Sequence, residues 1–250
     1  MFDDIMFTTY GRGRIDKKWS VSDNIGFNRL YYIHSGEVFY CGDGKYEPLK
    51  EGNLYLFPQN LKFELDFESS AVIDHTYFDF VVMPPMRMDS FIEIDMNKNK
   101  IIGSAAKIML ELGEKYPFSK SEEYKELIKS YMKNLLVLID KEVGLDRIED
   151  ERINNVIKNI HKNISSEITL DKLAEISCTE KNYFIKLFKK KMLITPHRYI
   201  KNYRLTVAAS YLDRKKSVKE IAEKIGYSDT AAFSKAFKNA YGIYPSEYVK

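Results

Sequence analysis

Residues 169–200, TLDKLAEISCTEKNYFIKLFKKKMLITPHRYI, recur as residues 217–249, SVKEIAEKIGYSDTAAFSKAFKNAYGIYPSEYV, with one turn residue inserted. Leu173-Ala174-Glu175 returns as Ile221-Ala222-Glu223. Phe184, Lys186, Phe188, Lys189, Pro196 and Tyr199 return as Phe233, Lys235, Phe237, Lys238, Pro245 and Tyr248. Each copy reads as a short helix, a tight turn and a longer helix, and small Ala174 and Ala222 stand where two helices must approach closely. A chain with this pair must build its last hundred residues as a doubled helix-turn-helix unit.

The caps in that region agree. Asp150 precedes a helix at 151–163, Thr169 one at 170–176, Thr179 one at 180–192, and Thr195-Pro196 opens one at 196–213. Ser217 with Glu220 makes a capping box, Asp229 opens a helix to about Tyr241, and a short helix closes the chain at 245–249. Side-chain oxygens at these positions satisfy the first free N–H groups of a helix, and proline fits the first turn.

In the longer helix of each copy, Tyr183, Phe184, Leu187 and Phe188, and Ala232, Phe233, Ala236 and Phe237, are expected on the buried stripe. The opposite face carries Lys181, Asn182, Ile185 and Lys186 in the first copy and Thr230, Ala231, Ser234 and Lys235 in the second. These types suit a major groove: Asn bonds adenine twice, Lys reaches guanine O6 and N7, and small apolar groups meet a thymine methyl. Lys189, Lys190, Lys191, Lys215, Lys216 and Lys238 are expected on phosphates, where they add affinity and salt dependence without sequence information. The charge balance points the same way. Residues 151–250 hold 20 Lys and Arg against 10 Asp and Glu, while residues 1–150 hold 19 against 26. The basic half is suited to a polyanion and the acidic half is not.

Seven of the 12 glycines fall at or before Gly52, among short segments rich in Tyr, Phe, Val and Ile. Turn signals such as Ser35-Gly36, Asp43-Gly44 and Glu51-Gly52-Asn53 separate them, so this part reads as a sandwich or small barrel. Beyond Pro84-Pro85 the pattern turns helical over 101–116 and 121–142. In the second of these helices Ile128, Tyr131, Leu135 and Leu138 form an apolar stripe, to be covered either by the chain's own β domain or by a partner subunit. The subunit reading makes these four residues the dimerisation surface. Cys41 and Cys178 are the only cysteines, which excludes a disulfide framework and a CxxC metal site. No run reaches 18 apolar residues, and MFDDIMFTTY puts aspartates where a secretory signal needs a basic start. A cytoplasmic chain with no membrane span is expected.

Through AEKIGYSDTAAFSKAFKNAYGIYPSEY, preceded by PHRYIKNYRLTVAASYL, residues 155–250 resemble the AraC family of bacterial transcription regulators. The resemblance implies that helix 196–213 holds two helix-turn-helix units so that both recognition helices enter successive major grooves, about 34 Å apart. It implies a structural role for Arg204 and, as the commoner outcome, activation by contact with RNA polymerase. The first unit departs from the pattern. Leu193 stands where Gly242 closes the second recognition helix and is expected to avoid the left-handed conformation, and Ile176-Ser177-Cys178 replaces the Ile225-Gly226-Tyr227 turn. Residues 1–96 are similar to the cupin-type effector domain of that family through LYYIHSGEV, LKEGNLYLFP and DHTYFDF. The matching ligand positions are Ser35, His75 and Tyr77, which suit a sugar or other small polar molecule. His34 and His75 are isolated, so neither a metal nor another cofactor is expected.

The expected molecule is therefore an α+β chain of two domains. A cupin-like all-β barrel over 1–96 leads through a helical linker over 97–148 to an all-α domain over 149–250 with two helix-turn-helix units. Its expected work is to bind double-stranded DNA as a homodimeric regulator under a small-molecule effector, without enzymatic activity. Two rivals remain at this point: a regulator whose barrel only dimerises, and a cupin-type metal enzyme with a helical appendage.

Overall fold

The computed structural model describes residues 2, 4–15, 19–21, 26–42, 44–59, 61, 63–66, 72–116, 122–212 and 217–248. Nine strands come first: β1 (Asp4–Ile15), β2 (Trp19–Val21), β3 (Asn28–Ser35), β4 (Val38–Gly42), β5 (Lys45–Leu49), β6 (Asn53–Phe57), β7 (Phe63–Asp66), β8 (Ile73–Met83) and β9 (Ile92–Asp95). They form two antiparallel sheets, β1-β8-β3-β6-β9 and β2-β7-β4-β5. No ladder joins the sheets among the described residues. Asp43 of the expected β4–β5 hairpin turn lies outside the described residues; Gly44 beside it takes φ +76°, which glycine tolerates.

The period of two along each strand decides what covers each face of the five-stranded sheet. Leu30, Leu54, Leu56, Phe78, Phe80 and Val82 point to one side, onto helices α1 (Lys100–Lys115) and α2 (Glu122–Val143). Tyr31, Ile33, Tyr55, Phe57, Ile73 and Val81 point to the other, toward Val38, Tyr40, Phe63 and Leu65 of the second sheet. A register shift between Phe7 and Thr9 interrupts the β1–β8 ladder. The extra residue reverses the alternation, so Met6 before the bulge and Thr9 and Gly13 after it are turned to the same side.

This corrects the dimer expectation. Ile128 and Leu135 are fully buried beside Met132, Leu136 and Ile139, and Tyr131 and Leu138 are half-buried. The stripe covers the outer face of the five-stranded sheet, which would otherwise leave Phe78, Phe80 and Val82 in water. Helices α1 and α2 therefore fold back on the β domain.

The rest is helical: α3 (Glu151–Lys162), α4 (Leu170–Ile176), α5 (Lys181–Met192), α6 (Pro196–Leu212), α7 (Val218–Lys224), α8 (Thr230–Tyr241) and α9 (Pro245–Tyr248). The side chains of Asp150, Thr169, Ser217 and Asp229 accept from the N–H groups of the helices they start, and Ser217 and Glu220 complete the capping box. Thr179 does not cap α5. Its hydroxyl pairs with that of Ser177 at 2.6 Å, and Glu180 takes the cap position with no side-chain bond.

The two copies agree in geometry. Phe184 and Phe188 meet at 5.8 Å and 65°, Phe233 and Phe237 at 5.8 Å and 67°. Phe188 meets Tyr199 edge-on at 5.6 Å, as Phe237 meets Tyr248 at 5.3 Å. The core of this helical domain is continuous with the inner core of the β domain, and Gly26 is needed at that seam, where a Cβ would stand 2.9 Å from the Asn202 backbone.

Candidate nucleic-acid interface and ligand pocket

Helix α5 starts after Glu180 and α8 after Asp229, whose carboxylate accepts from the N–H groups of Ala231 and Ala232. Burial of Phe184, Leu187 and Phe188, and of Phe233 and Phe237, turns the other sides of both helices outward. Lys181, Asn182, Lys186, Ala231 and Lys235 are exposed there. Lys181 is bonded to Asp171 of α4 at 2.9 Å, an exposed pair that costs little to open. Thr230 and Ser234 are half-buried, and the Ser234 hydroxyl donates to the Thr230 carbonyl at 2.8 Å. Ile185 is half-buried against the core, so only part of its side chain faces out.

Two residues expected on the buried stripe belong outside. Tyr183 is 53% exposed and Ala232 is exposed. Both stand at the edge of the apolar stripe, where the 100° step per residue carries them past the buried side that Phe184, Leu187 and Phe188 occupy. Lys189, Lys190 and Lys238 are exposed, with the Lys238 ammonium 4.1 Å from the Tyr244 ring, and Lys191 is half-buried. Lys215 and Lys216 lie outside the described residues.

The turns differ from expectation in two ways. Leu193 does take the left-handed conformation, φ 62°, as Gly242 does at φ 77°. Closing the helix decides the angle, and the side chain bears the strain. In the first turn Cys178, at φ 51°, is the counterpart of Gly226, at φ 80°; Ser177 and Thr179 then match Ile225 and Tyr227. The Thr179 N–H bonds the Ala174 carbonyl as the Tyr227 N–H bonds that of Ala222. Arg204 is structural: its guanidinium donates to the carbonyls of Ile164 and Ser166. It lies where a Cβ on Gly226 would meet it at 2.8 Å.

A pocket of about 290 Å³ opens on the helical-domain side of β1, past the bulge. His75 and Tyr77 line it, together with Thr9, Arg29 and Asp79, and Tyr248 of α9 closes it from the helical domain. Ser35 does not take part. It is exposed at the end of β3, paired with Asp74, because the irregularity between Ile33 and Ser35 turns it away. Arg29 and Asp79 form a buried two-point ion pair at 2.6 Å, in which burial pushes the Asp79 carboxyl up against the pull of Arg29. His75 stacks on Tyr31 at 4.8 Å, and its buried Nδ1 has no hydrogen-bond partner among the described residues. Burial and the Arg29 charge lower its pKa to about 4, so the ring is neutral at pH 7. A neutral imidazole with an unused nitrogen, beside an ionic wall and an aromatic ring, can hold a small polar molecule by hydrogen bonds and stacking. Sequence reasoning missed Arg29 and Tyr248. Only strand pairing brings Arg29 opposite Asp79, and only docking of the two domains brings Tyr248 there.

Among the described residues no group of His, Cys, Asp or Glu could hold a metal ion, and no helix is long and apolar enough to cross a membrane.

Residues 173–250 match the family model described as a helix-turn-helix domain. The probable transcriptional regulator LumQ of Photobacterium leiognathi is 27% identical over 161 residues, covering 64% of this chain and 62% of that protein. The Msm operon regulatory protein of Streptococcus mutans is 29% identical over 156 residues, covering 62% and 49%. An HTH-type transcriptional regulator of Haemophilus influenzae is 22% identical across 93% of this chain and 90% of its own. The matched part thus spans less than two thirds of the first relative and about half of the second. Among solved structures, ToxT from Vibrio cholerae shares the fold, with a TM-score of 0.70 at 13% identity over 98% of both chains.

Proposed function

We propose that the chain is an AraC-type helix-turn-helix transcription regulator, not an enzyme, that grips operator DNA through α5 and α8. The observation that carries this reading is the doubled motif itself: two helices of the same length, closed alike and buried by the same two phenylalanines, each turning Lys, Asn, Thr or Ser outward from a basic domain. Lys181, Asn182, Lys186, Thr230, Ala231, Ser234 and Lys235 would meet base edges, with Ile185 and Tyr183 beside them. Lys189, Lys190, Lys191 and Lys238, together with Lys215 and Lys216, would meet phosphates. The spacing of the two helices would match one turn of the duplex, about 34 Å.

The β domain would carry the effector, a sugar-sized polar molecule in the His75–Tyr77 pocket. Because Tyr248 closes that pocket, occupancy would favour one docking of the helical domain over another, which is the differential affinity that regulation requires. ToxT from Vibrio cholerae is known bound to an unsaturated fatty acid, which supports small-molecule control in this architecture. A homodimer would use the outer face of α1, where Ile101 and Ile108 are exposed, rather than the buried stripe of α2. RNA polymerase would be the partner in activation, and the cytoplasm the place of action.

Lys235→Ala is expected to weaken cognate DNA selectively, by about 1–3 kcal/mol, while Lys189→Ala weakens all sequences alike and reduces the salt slope by about one. Binding titrations on cognate and random duplexes at several salt concentrations check this. Equal loss on both duplexes for Lys235→Ala would remove the base-reading role.

A further inference from the structure

The helical domain holds a cavity of its own, about 350 Å³, between the first half of α6 and the end of α8. Its floor is apolar, formed by Leu205 and Ala240. Its rim carries the Thr195 hydroxyl, the Asn202 amide and the side chains of His197, Arg198 and Lys201. Arg198, Lys201, Asn202 and Leu205 stand at i, i+3, i+4 and i+7, so they share one side of α6. The volume falls within the roughly 300–1,000 Å³ common for small-molecule sites.

No Asp or Glu lines the cavity, and Lys201 forms no ion pair, among the described residues. The repeat shows how such a place is otherwise filled. Ala240 is the counterpart of Lys191, near the end of α5. Lys191 is half-buried and close enough to Asp150 to help Arg152 hold that carboxyl below its usual range. At the end of the first recognition helix lysine and carboxylate thus balance each other. At the end of the second, alanine leaves a space that cations line without a counterion. A guanidinium, an ammonium, an imidazole, a hydroxyl and an amide around an open space are complementary to a phosphate ester, whose oxygens accept hydrogen bonds from all of them.

The candidate DNA-reading residues lie toward the other ends of the helices. Ala240 stands about 15 Å along α8 from Thr230, and Thr195 lies beyond the last turn of α5. On its other side the cavity adjoins the β domain, since the Asn202 backbone faces Gly26 at the seam. A duplex held by the starts of α5 and α8 leaves such a cavity free, so a small molecule fits it better than a DNA backbone.

We propose that this cavity binds a phosphorylated small molecule, its phosphate held by Arg198 and Lys201 and its body resting on Leu205 and Ala240. The occupant ties the end of α8 to the start of α6, beside the existing bond from the Tyr241 hydroxyl to the Leu205 carbonyl at 3.5 Å. It thereby fixes the second recognition helix relative to the first. The consequence for operator choice rests on the DNA-binding reading above; the binding itself does not.

The test is an NMR titration of the DNA-free full chain, read at the backbone amides, with glycerol 3-phosphate and with glycerol as the uncharged counterpart. Saturable shifts centred on Thr195, Asn202 and Ala240 are expected with the ester and none with glycerol. Arg198→Gln with Lys201→Gln is expected to weaken the ester by at least about tenfold. Ala240→Lys, which installs the side chain of the first copy and keeps both cations, is expected to abolish binding. Both variants are expected to bind a random duplex within about twofold of wild type, because charges this far from the contacts are screened. The proposal is overturned by no saturable shift, by equal shifts from glycerol, by shifts centred on the lysines of α5, or by wild-type affinity in either variant. Loss of duplex binding in the variants, or shifts of the same three amides by the duplex, assigns the cavity to the DNA backbone and overturns it as well. A chain that binds the ester but no duplex fails the DNA-binding reading and not this one.

Discussion

Leu193 and Gly242 hold the same place in two copies of one motif, and both have positive φ. For leucine that conformation costs about 1–2 kcal/mol, because its Cβ crowds the neighbouring carbonyl. Its side chain is 47% exposed, so little packing is gained in return. Leu193→Gly is expected to stabilise the protein by about 0.5–1 kcal/mol after the greater chain entropy of glycine is counted. Urea unfolding checks this; an unchanged or lower midpoint would show that the side chain is held by contacts worth more than the strain. Cys178 is a harder case, since only Thr179 separates that turn residue from Glu180, the cap of α5. Residue preferences predicted that Leu193 would avoid this angle, and they failed because a helix end dictates backbone geometry before side-chain comfort.

At the scale of elements, the hydrophobic period identified α2 but not its neighbour. Ile128 and Leu135 make an apolar stripe that either a second subunit or the chain's own sheet could cover, and the period is identical in the two cases. The structure covers it with β1, β8 and α1. Leu135→Asp is therefore expected to unfold the β domain, at a cost above about 3 kcal/mol, rather than to produce folded monomers. Ile101→Asp with Ile108→Asp should instead leave the fold intact and dissociate any dimer. Sizing chromatography with circular dichroism separates these outcomes, and a dimer that survives the α1 changes would exclude that face. Caps were more legible than packing: Asp150, Thr169, Ser217 and Asp229 all work within one turn of themselves. Thr179 misled because Ser177, absent from the second copy, offers its hydroxyl a nearer partner.

Across the whole molecule, the two units meet along β1, and a histidine stands at each meeting place, buried at His75 and half-buried at His161. His75 faces Tyr248 across the ligand pocket, and His161 stacks on Tyr203, which donates to the Met6 sulfur of β1. Burial lowers both pKa values from 6.5 to about 4. Below pH 6.5 the unfolded chain takes up protons that the folded chain refuses, so stability falls as the pH drops from 6.5 toward 4 and levels off below that. Each histidine is expected to cost about 2 kcal/mol by pH 5. The low-lying carboxylates, Asp74 beside Arg12 and Asp150 beside Arg152, titrate below this window. Denaturant unfolding at pH 7 and pH 5 checks the loss. His75→Gln with His161→Gln should flatten the difference, and an equally steep dependence in that variant would place its origin elsewhere.

What the amino-acid sequence determined by itself was whatever repeats or closes over a few residues: the two helix-turn-helix copies, their caps, the outward lysines, and the change from period two to period 3.6 beyond Pro85. These depend on neighbours within a turn or a strand pair, so residue order is enough to specify them. Tertiary structure alone decided that a bulge at Thr8 aims Met6 and Gly13 toward the same domain and that Tyr248 closes the pocket while Ser35 is left outside. It also set Arg198 and Lys201 around a cavity that Ala240 leaves open. Each of these joins residues tens to hundreds of positions apart, and the face a strand presents reverses with one inserted residue, so no local pattern carries the information.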